Sequence, residues 1–378
     1  MILSANFPTI NNDYQTSRMN ITSNFEFDLP TPKPEPGSYE WWYFDAIDAT
    51  GIWQLVVIFY EGCPFSPLYN NEWASNNNAA LASKHPAISI SVYKKGKPVF
   101  YSMSEYPEIQ SRFDISQNNQ QVNIQIGDNE LILTKDGEHL SHELQINELL
   151  PSGDALSGVV IFQSDYNTHL FPLMKQEGSH FWNLTQPRAK VHVNLELNTG
   201  NGSHESLNWI GNGYHDHNLG CEPMMNTFTD WYWGRAHFKN HTLIYYLMKK
   251  HEILDFKGWL LDDKQSIIDI FQSGRLNGKI SNVFMLDCAE TLSLKGKKAK
   301  VEINQRQLLD SGPFYYRFKS DFELHLNGWK ESCEGISEYI YPSRIHQKRY
   351  WPLVHMRYRY VQNPHWVQKS SLLYPLTW

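Results

Sequence analysis

The chain has 378 residues, a net charge near −7 and 14% aromatic side chains, among them 13 Trp and 21 Tyr. That length favours two domains over one core, and the aromatic content favours sheet over helical bundle. Lys and Arg are scattered rather than gathered in a stripe, which excludes nucleic acid as a partner. Cys63, Cys221, Cys288 and Cys333 are far apart, with no CxxC pair, and read as separate reduced thiols. No apolar run is long enough for a transmembrane segment. The start of the chain also lacks the basic and apolar regions of a signal peptide, so the expected location is cytoplasmic.

Residues 1–36 are polar and end in Pro30-Thr-Pro-Lys-Pro-Glu-Pro36, read as an extended N-terminal arm wrapping the surface. Glu40-Trp-Trp-Tyr-Phe-Asp-Ala46 and Ile52 to Tyr60, split by Asp48-Ala-Thr-Gly51, predict two strands and a tight turn. Period-2 alternation continues at 87–93, 121–126, 142–146 and 191–197, giving a mainly antiparallel all-β class. Loop-like Asn198-Thr-Gly-Asn-Gly-Ser-His204 sets a domain boundary, with β-domains over 37–204 and 205–378. Asp230-Trp-Tyr-Trp-Gly-Arg-Ala236 with Leu243 to Lys249 echoes the aromatic pair at 40–60 half a chain earlier, as two related domains would. Few helices are expected; the candidates are Ser343 to Arg349 and the stretch before Asp263.

Near the start of the second of those domains lies Gly213-Tyr-His-Asp-His-Asn-Leu-Gly220. In an extended segment Tyr214, Asp216 and Asn218 share one face while His215 and His217 take the other, which sets a carboxyl beside a phenol with imidazoles behind. A polar turn satisfying its own backbone is the competing reading. His215 and His217 also suggest a metal, but local spacing offers no third ligand, so neither a metal nor any other cofactor is expected.

With Gly62-Cys-Pro-Phe-Ser-Pro-Leu-Tyr69, His180-Phe-Trp182, Pro187-Arg-Ala189 and Trp231-Tyr-Trp-Gly-Arg235, these motifs resemble, in order, those of the carotenoid 1,2-hydratase (hydroxyneurosporene synthase) family. Its superfamily includes AttH-like proteins and fungal Diels–Alderases. The resemblance covers residue 37 to about 240. It implies two lipocalin-like β-barrel domains packed side by side, with the ligand site at or near their interface. It also implies Asp216 as proton donor, aided by Tyr214, His180 and Trp182. One departure stands out: Leu219 occupies a place where hydratases usually carry Trp, so an aromatic wall or packing residue is missing.

The expected reaction is hydration or cyclisation of a hydrophobic isoprenoid or polyene. A neutral Asp216 in an apolar pocket protonates a C=C bond, and aromatic faces steady the cation until water or an internal nucleophile captures it. Trp182, Tyr214, Trp41 and Trp231 are candidates for those faces, with Tyr43, Trp233 and Asn218 added as substrate contacts. Trp41 and Trp42 face opposite ways, so at least one belongs to the core. The alternatives are a pericyclic cyclase, in which Tyr214 or His180 donates a hydrogen bond and Asp216 orients the donor, and a lipid-binding protein without chemistry. A hydrophobic small molecule is the expected partner, with peripheral membrane contact for its uptake.

Overall fold

The structure, a computed structural model, describes residues 10–11, 19–75, 80–166, 179–250 and 253–377. It divides into two compact units, Met19–Met224 with His346–Trp378, and Met1–Arg18 with Met225–Ile345. The 204/205 boundary suggested by the sequence falls at the turn of a long hairpin within the first unit, and residues 346–378 return to that unit.

In the first unit the strands are β1 (Tyr39–Asp48), β2 (Trp53–Glu61), β3 (Ala87–Lys94), β4 (Lys97–Glu105), β5 (Ser111–Ile115), β6 (Gln121–Ile126), β7 (Asn129–Asp136), β8 (His139–Leu149), β9 (Ala155–Asp165), β10 (His180–Asn198) and β11 (His204–Gly220). These eleven pair antiparallel in the order β4-β3-β2-β1-β11-β10-β9-β8-β7-β6-β5 within a barrel-like sheet that two short parallel strands, Met19–Thr22 and Arg359–Tyr360, complete. Alternation makes this sheet two-faced. Along β8, buried Leu140, His142, Leu144 and Ile146 alternate with half-buried residues, and the buried set joins a core built from Phe44, Ile90, Phe162, Val191 and similar side chains.

The N-terminal arm is more than a surface wrap. Met19–Thr22 pairs in parallel with β10, and the short 3-10 turn Phe25–Asp28, capped by Asn24, carries Phe25 and Asp28 into the first unit's interior. The helices also differ from expectation. Residues 253–261 before Asp263 are a strand, and Ser343 to Arg349 contains only 3-10 turns. The helix follows at Trp351–Arg357, where Pro352 fits the first turn because its missing N–H has no helical partner there.

In the second unit, β12 (Asp230–His237), β13 (Thr242–Lys250), β14 (Ile253–Leu261), β15 (Ile267–Phe271), β16 (Ser273–Asn277), β17 (Thr291–Lys295), β18 (Ala299–Ser311), β19 (Tyr315–Leu326) and β20 (Trp329–Ile340) curl around a separate core. The order β15-β14-β13-β12-β20-β19-β18-β17-β16 repeats the plan of the first unit, since β12, like β1, lies between the next strand in sequence and the unit's last long strand. The aromatic echo therefore marks equivalent strands. Tyr232 enters its core as Trp42 enters the other.

Gly213 opens the buried part of β11, and a Cβ there would lie 2.5 Å from both Phe162 and Val191 and 2.6 Å from the Asp45 carbonyl oxygen. Gly213→Ala should therefore destabilise the first unit by about 1–3 kcal/mol through overpacking. A thermal melt is expected to show a lowered midpoint, and an unchanged midpoint would contradict the contact.

Candidate active site

From Gly213 to Asn218 both faces of β11 are buried, so each polar side chain needs a protein partner. The register sets them out. Asp216 lies opposite Tyr43 of β1, and Asn218 lies opposite both Trp41 of β1 and Trp182 of β10. Directly opposed residues share a face, so Tyr214, Asp216, Asn218, Trp41, Tyr43 and Trp182 form one surface while His215 and His217 point into the core side with Trp42 and Phe44.

Asp216 is 4% exposed and accepts three hydrogen bonds. Trp182 Nε1–H reaches Oδ2 at 2.6 Å, the Tyr214 hydroxyl reaches the same oxygen at 2.7 Å, and Asn218 Nδ2–H reaches Oδ1 at 2.9 Å. Asn218 is oriented in turn. His180 Nε2 lies 3.2 Å from Asn218 Oδ1, and His180 Nδ1 lies 3.0 Å from the Tyr39 hydroxyl. Burial, with the nearby charge of Glu222, holds the Tyr39 phenol well above its ordinary pKa, so it remains a donor, while burial pushes His180 down to about 4 and keeps it neutral. A neutral imidazole has one donor and one acceptor nitrogen. Tyr39 therefore donates to Nδ1, Nε2–H donates to Asn218, and the Asn218 amide donates to Asp216, a one-way series ending on the carboxyl.

Aromatic rings extend this surface. Trp41 stacks on Tyr39 with centroids 5.2 Å apart and lies 5.8 Å from His180, and Tyr43 meets Tyr214 edge-on at 6.2 Å. Gly220 makes room for Tyr39, whose ring lies within 2.1–2.5 Å of where a Cβ would stand. Trp231 and Trp233 belong to β12 of the other unit, where both are buried and Trp231 packs edge-on against Phe228 at 5.3 Å. Leu219 pairs with Phe181 and Glu40, on the face opposite Asp216, so its departure from the hydratase pattern alters packing behind the strand.

On that opposite face His217 bonds the Phe27 carbonyl oxygen through Nδ1 and Glu40 Oε1 at 2.9 Å through Nε2. Both partners only accept. Burial opposes the charge, but the hydrogen bond and charge of Glu40 outweigh it and raise the pKa of His217; Glu40 is lowered by the same pairing against its own desolvation. Both imidazoles face Asp28, His215 Nε2 at 3.3 Å from Oδ2 and His217 Nδ1 at 4.0 Å from Oδ1, but His217 is bonded to Phe27 and Glu40 while His215 also meets His142. Asp28 and His142 have no local signal in the motif.

Residues 57–364 match the family described as carotenoid hydratase CrtC. The chain belongs to the carotenoid hydratase family. It is 27% identical over 348 residues to a hydroxyneurosporene dehydrogenase of Chlorobaculum tepidum, covering 86% of this chain and 88% of that protein. It is 31% identical over 219 residues to an acyclic carotenoid 1,2-hydratase of Thiocapsa roseopersicina, covering 56% of this chain and 47% of the relative, so the chain spans about half the length of that protein. In fold it is similar to the crystal structure of CghA (TM-score 0.62, 14% identity, 81% of this chain and 88% of that one). It is also similar to a putative AttH from Nitrosomonas europaea (TM-score 0.54, 12% identity, 80% and 92%). Both the family and the lipocalin-like fold expected from the motifs hold.

Sequence reasoning missed Tyr39, although its alternation with Trp41 and Tyr43 put it on the site's face. The low pKa of His180 has a stability consequence. Between pH 6.5 and 4 the unfolded chain takes up a proton at His180 that the folded chain does not, so folded stability falls as pH falls through that window. His180→Asn should remove this component. The wild-type stability advantage over the variant is expected to shrink by up to about 3 kcal/mol from pH 7 to pH 4 in denaturant titrations. A constant advantage would mean that His180 takes up its proton over the same pH range in the folded protein as in the unfolded chain.

Proposed function

We propose that this protein protonates an isolated C=C bond of an acyclic, carotenoid-like isoprenoid or related polyene with Asp216, and that water or an internal nucleophile then captures the cation. The observation that carries this reading is the Asp216 carboxyl, buried on an aromatic face and held by three side-chain donors. Burial favours the neutral acid and the donors favour the carboxylate, so the group is suited to exist in both forms during a cycle. Trp182 can only donate and Asn218 is turned by His180, whereas a hydroxyl can rotate. Tyr214 therefore accepts from the protonated acid and donates to the carboxylate.

In hydration, Asp216 gives its proton to one alkene carbon and the π electrons form the new C–H bond. The tertiary cation is held by the ring faces of Trp41, Tyr43 and Trp182, each contributing up to about 2 kcal/mol when desolvated. Water adds through its oxygen, and the proton it sheds returns to Asp216, so the acid is regenerated. With water excluded, an internal double bond or hydroxyl ends the reaction as a cyclisation.

Asp216→Asn should keep the fold and substrate binding while lowering hydration of an acyclic carotenoid about 10²–10⁴-fold. Tyr214→Phe should cost about 10–100-fold, the loss of one hydrogen bond to a charged group. Product formation followed by chromatography checks both. Undiminished turnover in Asp216→Asn would sink the acid role and leave the pericyclic reading, in which a donor alone suffices.

Uptake of so apolar a substrate calls for peripheral membrane contact. In the second unit Lys295, Lys297, Lys298 and half-exposed Trp329 line a cavity of about 350 Å³ at two hairpin ends. Each surface lysine is worth about 1 kcal/mol toward anionic lipid. Cosedimentation with phosphatidylserine-containing vesicles is expected at low salt, and to weaken in Lys297→Glu/Lys298→Glu. Equal binding to neutral vesicles would overturn it.

A further inference from the structure

Behind the catalytic face, Asp28, His142 and His215 meet in the dry interior of the first unit, all three fully buried. They come from the N-terminal 3-10 turn, β8 and β11, and their ligand atoms lie within 4.8 Å of one another. His215 Nδ1 lies 2.9 Å from the Tyr43 carbonyl oxygen, which can only accept, so Nδ1 carries a proton. That leaves His215 Nε2 facing Asp28 Oδ2, 3.3 Å away, across a gap that either a proton or a metal ion bridges.

A proton in that gap would leave His142 unexplained. Among the described residues neither ring nitrogen of His142 has a well-aligned hydrogen-bond partner, and its Nε2 lies 4.0 Å from the same Asp28 oxygen. An unpartnered imidazole in a dry core costs about 1–3 kcal/mol, so an occupant that satisfies it is expected. The second carboxylate oxygen, Oδ1, is fixed by Asn183 and Thr185 at 2.7 Å each, which leaves Oδ2 aimed at the two imidazoles. Carboxylates and metal-binding imidazoles are held in this way by outer partners at known metal sites.

We infer that Asp28, His142 and His215 bind one divalent transition-metal ion, zinc being the cation that two imidazoles and one carboxylate fit. Zn–N and Zn–O bonds of about 2.0–2.2 Å in a tetrahedral array put ligand atoms about 3.2–3.5 Å apart, and these three residues leave the fourth position to a small ligand such as water. The Asp28–His215 distance already meets this, and a small approach of His142 completes it. The ion ties the arm, β8 and β11 together on the face opposite Asp216. Its role is structural and independent of the reaction proposed above.

The test uses the full chain expressed with added zinc. Elemental analysis should find stoichiometric zinc, and chelation should lower the melting temperature and abolish the visible absorption that cobalt(II) gives in its place. His142→Leu separates this from an empty or water-filled cluster. If a metal is bound, the variant loses the zinc and melts where chelated wild type melts. If none is, leucine replaces an unpartnered polar group, the variant melts at or above wild type and neither protein holds zinc, which would overturn the proposal. Should the variant fail to fold, the zinc content and chelation shift of wild type decide alone.

Discussion

The strand from Gly213 to Gly220 carries polar groups on both faces while being buried on both, and the rest of the site answers to that constraint. Asp216, His215 and His217 are all buried, so their polar atoms depend on partners inside the fold. Asp216 draws Trp182 from β10 and Asn218 and Tyr214 from its own strand. His215 and His217 draw backbone carbonyls of Tyr43 and Phe27 and the carboxylates of Asp28 and Glu40. The arm is thereby tied to the barrel, since Asp28 and Phe27 lie on its turn.

The buried carboxylates behind the strand are each held by several partners. Glu40 lies between His217 and Lys33, and Asp28 faces His215 with Asn183 and Thr185 on its other oxygen. Breaking one member of such a set leaves its neighbour as an uncompensated charge, a loss of about 3–5 kcal/mol, far more than a surface pair is worth. The orienting groups are rigid for the same reason. Of the Trp182, Asn218 and Tyr214 donors to Asp216, the Tyr214 hydroxyl is the one that can rotate without moving a neighbour.

The second unit makes the specificity of this arrangement plain. On the shared topology Trp233 stands where Tyr43 does, and Trp233 lies opposite Glu338 as Tyr43 lies opposite Asp216. A carboxylate therefore sits at the equivalent place in both units. Glu338 meets the Arg317 guanidinium at 2.8 Å, while Asp216 meets an indole, a phenol and an amide. The guanidinium brings a full positive charge to its carboxylate, whereas the indole, phenol and amide around Asp216 bring only neutral donors.

Alternation along 213–220 determined which face carries Tyr214, Asp216 and Asn218, because a strand's period of two leaves no other arrangement once it is extended. The aromatic echo determined that two equivalent sheets exist, and the ordered motifs determined the family. What neither periodicity nor motif could give was the partner of each group, since pairing depends on register between strands far apart in the chain. Trp182 reaches Asp216 across 34 residues, and Tyr39 reaches His180 across 141. Asp28 lay in a segment read as surface arm, and His142 read as one more buried position on an alternating strand. Only the closing of the sheet brought both to His215, because burial removes the water that would otherwise satisfy each of them separately.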